Sequence, residues 1–184
     1  MNMKTGEMKA ESKVEMTEKT LDRTIGFISN CDTKASIMLA LFGVLLTVIC
    51  TSNITKSISD IVKDVSADMR IGDYIYMGVA IFAIILSVIS IILLIRVLSA
   101  KVDKSRFSSK IYFKDIVSYY NITDYIWQIQ NLKEEDYLKD LTTQVYINAE
   151  ICSSKYEKYN LAIKLGIIGF AILMVLYLIG KFVY

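Results

Sequence analysis

The chain has 184 residues, 54% of them hydrophobic, and its 21 Lys and Arg against 19 Asp and Glu leave a net charge of +2. The apolar residues gather into three runs, which excludes an ordinary soluble domain and predicts a membrane protein. The balanced charge speaks against a nucleic-acid polymer as partner. The absence of histidine removes the commonest general base and zinc ligand.

In chain order, residues 1–34 form a cytosolic N-terminal arm. Its first 20 residues are polar, so no cleavable signal peptide is expected. Leu21, Ile25 and Ile28 make an apolar stripe, which predicts an amphipathic helix running straight into the first span. That span, residues 35–52, opens with 17 uncharged positions from Ala35 to Thr51, close to the lower limit for crossing a bilayer. Ser36, Ala40, Gly43 and Thr47 are spaced 4, 3 and 4 and share one helical face. Small residues on a face let another backbone approach closely in lipid, where no hydrophobic drive exists between helices.

Residues 53–73 read as a short external loop and 74–98 as the second span, with Tyr74 and Tyr76 as interfacial anchors. The second span repeats the small face at Ala80, Ala83, Ser87 and Ser90. Residues 99–163 form the cytosolic helical region. Asn121 to Asn131 reads as a turn and a short helix carrying the sole tryptophan, Trp127, and Asn131 with Glu134 reads as a capping box opening the next helix. A seam is expected along that helix at Leu138, Thr142, Val145, Ala149, Cys152, Tyr156, Tyr159 and Ile163. No breaker separates it from the third span, residues 164–184, where Gly166 and Gly169 again permit close packing. The fold class is therefore an all-α integral membrane protein, with three transmembrane helices extended into a cytosolic helical bundle.

The distribution of cations orients the chain. Six Lys or Arg lie up to Lys34 and eleven between Arg96 and Lys164, against three in the 52–73 connection and one after the third span. The N-terminus and long loop are thus expected in the cytoplasm and the C-terminus outside. Cys31, Cys50 and Cys152 show neither metal-ligand spacing nor a disulfide framework.

Asp32 and Lys34 stand at the mouth of the first span, as a polar gate or as a boundary where Lys34 reaches phosphate headgroups. The basic run Arg96, Lys101, Lys104, Arg106, Lys110 and Lys114 suits a nucleotide phosphate, or anionic lipid at ~1 kcal/mol per charge. Cytosolic aromatics, among them Tyr112, Tyr120 and Trp127, are equipment for stacking a base beside a cation, or the core of a small bundle. Lys155 sits next to the seam and Tyr156 on it. Lys155 reads as a phosphate or carboxylate partner inside the bundle, pairing with Asp32, or as an ordinary solvated lysine. Nothing points to catalysis: Glu134, Glu135 and Asp136 are consecutive and face different directions, and no glycine-rich phosphate loop or nucleophile elbow is present. No enzyme, metal or cofactor is expected.

DTKAS followed by an apolar run with an embedded glycine (Asp32 to Gly43), IYFKDI at Ile111 to Ile116, and DLTTQVYINAEICSSKYEKYNLA at Asp140 to Ala162 occur in that order. Together they resemble the Pycsar transmembrane effectors, bacterial membrane proteins of anti-phage defence. The sequence departs from the family pattern at Lys114, where a small residue is expected. The resemblance covers roughly Leu21 to Gly180. It implies a homo-oligomer in the inner membrane, partnered by the lipid bilayer and activated by cyclic CMP or cyclic UMP from a separate cyclase. It also implies a site role for the Lys155–Tyr156 pair. No β-rich cyclic-nucleotide-binding domain is recognisable, so either the helical bundle or a partner protein senses the nucleotide. A ligand-independent, holin-like pore former and a non-enzymatic scaffold for a cytosolic partner are the alternatives.

Overall fold

A computed structural model describes residues 10–51, 71–99 and 109–183, and every regular element among them is helical. The helices are α1 (Ala10–Thr51), α2 (Ile71–Leu98), α3 (Phe113–Val117), α4 (Ile122–Gln130) and α5 (Glu134–Val183). Three of them, α1, α2 and α5, are long and apolar enough to cross a membrane. At 42 residues, α1 extends roughly 63 Å, about twice the ~30 Å hydrocarbon core, so only its second half needs to be apolar. The residues expected to connect the first two spans lie, up to Arg70, outside the described residues, as do Lys101, Lys104 and Arg106 of the basic run.

The chain divides into two compact units, Met1–Asn30 with Lys101–Ser154 and Cys31–Ala100 with Lys155–Tyr184. The second unit is a three-helix packing of the apolar parts of α1, α2 and α5. Its core gathers Cys31, Ala35 and Phe42 from α1, Ala83, Leu94 and Val97 from α2, and Ala162, Phe170 and Leu173 from α5. A smaller cluster joins Tyr76 and Ala80 to Leu176. On α2 the buried residues Tyr76, Ala80, Ala83, Ser87, Ser90, Leu94 and Val97 alternate spacings of 4 and 3, which keeps them on one face.

Small side chains let α2 and α5 meet closely. A Cβ on Gly166 would collide with the Phe42 ring and stand 2.6 Å from Ser90 Oγ. Phe42 in turn stacks on Phe170 at a ring-centroid distance of 4.8 Å. The buried hydroxyls have internal acceptors, as a water-free surrounding demands. Ser90 donates to the Ala162 carbonyl at 2.7 Å, Ser87 to Ala83 of its own helix at 2.9 Å, and Tyr76 to Leu176 at 3.2 Å.

In the first unit, Asn121 caps α4 by accepting the Asp124 N–H at 2.8 Å. The expected capping box at Asn131 and Glu134 is corrected. Asn131 is the C-cap of α4, and its side-chain amide donates to the Trp127 carbonyl at 2.7 Å. Helix α5 begins at Glu134, so Lys133 directly precedes it, and an N-cap must hold that position.

The expected seam is displaced by one residue. The positions that α5 buries are Leu141, Gln144, Lys155, Ala162, Gly166, Gly169, Phe170, Leu173 and Leu176, whereas Thr142 and Ala149 are exposed. Hydropathy steers a seam away from glutamine and lysine, but a polar residue can occupy one when its neighbour supplies a counter-charge.

Candidate functional site

The eight residues singled out as ligand or gate candidates divide between the units. Asp32, Lys34, Lys155 and Tyr156 belong to the second, and Lys110, Tyr112, Tyr120 and Trp127 to the first.

In the second unit, Asp32 is the last acidic residue on α1 before the uncharged run that begins at Ala35. Lys155 lies on α5, 123 positions later, and its ammonium donates to Asp32 Oδ1 at 2.6 Å. The Lys155 side chain is 10% exposed and that of Asp32 34%. The short separation marks a charge-assisted hydrogen bond. Removing one partner of a fully buried pair costs about 3–5 kcal/mol, because the other charge is left uncompensated. The exposure of Asp32 lowers that figure toward the ~1 kcal/mol of a solvated pair. Carboxylate and ammonium therefore hold α1 and α5 in register where the uncharged run starts.

Lys34 is exposed. Two positions along a helix are about 200° apart, so Lys34 and Asp32 point to different sides of α1. Tyr156 is half-buried and packs against the core of the unit.

The two small-residue faces have different fates. On α2, Ala80, Ala83, Ser87 and Ser90 are all buried, and on α5 Gly166 lies against Ser90 and Gly169 against Ala83 and Ser87. On α1, Ser36, Ala40, Gly43 and Thr47 are all exposed, and a Cβ on Gly43 would meet nothing within 4 Å. Within the chain, α1 packs through Cys31, Ala35 and Phe42, with spacings of 4 and 7. Sequence reasoning missed that face because a buried phenylalanine beside two small residues is apolar like everything around it.

In the first unit, Lys110 is half-buried and held by its backbone: its N–H donates to Asp140 Oδ2 at 2.7 Å and its carbonyl accepts the Tyr125 hydroxyl at 3.1 Å. Buried Ser109 organises the same turn. Its N–H donates to Asp115 Oδ2 at 2.8 Å, and its hydroxyl oxygen accepts the N–H groups of Ile111 and Tyr112. Tyr112 leans on Phe113 at 4.9 Å between ring centroids. Tyr120 is 96% and Trp127 60% exposed, so neither ring walls an enclosed base-stacking slot. Elsewhere in this unit Tyr137 donates to Glu18 at 2.9 Å, and burial, followed by that carboxylate, raises its hydroxyl above the ordinary tyrosine pKa.

Asp140 and Ser109 fix the turn around Lys110 and were marked by no single-residue signal, although Asp140 opens the third motif. That motif meets the first and the residue that precedes the second. Lys155 binds Asp32 of the first, and Asp140 holds Lys110, the residue just before the second. Residues 16–180 match the Pycsar effector protein domain.

The chain belongs to the Pycsar effector family. A curated relative, the Pycsar effector protein GmPycTM of Gulbenkiania mobilis, is 30% identical over 166 residues, spanning 82% of this chain and 85% of the relative. No solved structure matches the chain significantly. Three helices able to cross a bilayer, in a member of the Pycsar effector family, make this a membrane protein. Among the described residues, no group of three His, Cys, Asp or Glu side chains could hold a metal ion.

Proposed function

We propose that this Pycsar effector is a ligand-gated membrane protein of anti-phage defence. Cyclic CMP or cyclic UMP, made by a separate cyclase during infection, binds the first unit. The membrane-spanning unit then rearranges and impairs the bacterial inner membrane, so the infected cell no longer supports phage. The first unit faces the cytoplasm and the C-terminus the outside, as the surplus of cations on the N-terminal arm and long loop favours.

The observation that carries this reading is the Asp32–Lys155 ion pair, set just before the uncharged run of α1 starts. Both helices continue as unbroken chain into segments of the first unit. A ligand shifts a population only by binding one state better than the other. A pair of partly exposed charges between two helices is a contact that can differ between states at modest cost. The open face of α1 at Ser36, Ala40, Gly43 and Thr47 supports a second protomer as the element against which the rearranged helix packs. The reading is non-enzymatic and requires no cofactor.

Dye-loaded liposomes carrying the purified protein test it directly. Release is expected on adding cyclic CMP or cyclic UMP and not before. Equal release with and without either nucleotide removes the ligand from the reading, and depolarisation of cells on expression alone marks a ligand-free pore former.

A further inference from the structure

Beside the turn at Ser109 and Lys110 lies a cavity of about 410 Å³, walled on its other side by Asp136, Lys139, Asp140 and Thr143 of α5. Its volume falls in the lower part of the ~300–1,000 Å³ range typical of small-molecule sites. All of these residues belong to the first unit. We infer that this cavity is the nucleotide site, with Lys110 and Lys139 receiving the cyclic phosphate and Asp136 the ribose hydroxyl; the inference rests on the function proposed above.

Several features carry it. The lining is of mixed sign, two ammonium groups and two carboxylates. Such a lining complements a ligand that is an anion at one end and a hydrogen-bond donor at the other, and a mononucleotide is both. The Lys110 backbone is fixed on both sides, by Asp140 and by Tyr125, so its side chain leaves a rigid turn. A site built on fixed backbone loses less freedom on binding than one on a mobile loop. Asp140 spends Oδ2 on the Lys110 N–H, which leaves the Asp136 carboxylate as the less committed acceptor. The volume suits one ring and one phosphate. The two walls come from chain segments 30 positions apart, which only the fold joins.

The test is calorimetric titration of the full-length protein in lipid nanodiscs with cyclic CMP and with cyclic UMP. Lys139→Ala and Asp136→Asn alter exposed side chains and are compared with Lys133→Ala, which removes an exposed charge outside the cavity. Each cavity variant is expected to weaken binding by about 10-fold or more, as loss of a hydrogen bond to a charged group does, with Lys133→Ala unchanged. Helicity and thermal unfolding of each variant report folding separately. If the wild type binds and both cavity variants match it, the site is overturned while activation by nucleotide stands. If the wild type binds neither nucleotide, the functional reading fails and the site falls with it.

Discussion

Gly169 faces Ala83 across the contact between α2 and α5 so closely that a Cβ on it would stand 3.0 Å from the Ala83 carbonyl oxygen and 2.6 Å from Ser87 Oγ. The carbonyl belongs to backbone and cannot swing aside. Gly169→Ala is therefore expected to destabilise the second unit by about 1–3 kcal/mol, the usual cost of forcing a methyl into a packed interior. Thermal unfolding in detergent measures it. A change within a few tenths of a kcal/mol would show that the helices can separate freely.

Gly43 provides the opposite case. A Cβ there meets nothing, so Gly43→Leu should leave folding and membrane insertion intact. If α1 packs between protomers through this face, the same variant abolishes cross-linked oligomers and nucleotide-dependent leakage. Leakage at wild-type level would refute an interprotomer role for the face.

Lys155→Met leaves Asp32 without its partner, and Asp32→Asn leaves Lys155 without its counter-charge. Each should cost about 1–3 kcal/mol, below the fully buried figure because Asp32 is 34% exposed. The exchanged pair Asp32→Lys with Lys155→Asp should recover part of that loss, which a double-mutant cycle reads. Strict additivity would mean that the two charges do not interact.

Ser90→Ala removes the hydroxyl that reaches the Ala162 carbonyl at 2.7 Å. Hydrogen bonds between helices in membranes average only about 0.6 kcal/mol, so a small loss of stability is expected and no change of fold. Steric-trap unfolding in bicelles resolves an effect of that size.

Tyr137 predicts a dependence on alkaline pH. Burial, and then the hydrogen bond to Glu18, raise its pKa in the folded protein. The folded state therefore keeps the phenolic proton to higher pH than the unfolded chain does. Stability contributed by this group is complete below the ordinary value near 10 and declines as pH rises through the folded one. Tyr137→Phe should reduce that alkaline decline while changing nothing between pH 6 and 8, as followed by denaturant unfolding.

Much of this protein is legible in its residues alone. An uncharged run from Ala35 to Thr51 admits little but a bilayer or a buried helix, and the short helix around Trp127 follows from local turn chemistry at Asn121. Those features depend on composition and on neighbours within four positions, so a linear reading reaches them. What only the tertiary structure decided is which face of each helix is used. Helix α1 buries Cys31, Ala35 and Phe42 and leaves its small stripe exposed, because its neighbours are residues of α2 and α5 dozens to more than a hundred positions away. Lys155 occupies a buried position that hydropathy would deny it, because Asp32 arrives to balance its charge. A side chain's cost of burial is a property of the pair, and the pair does not exist until the helices meet.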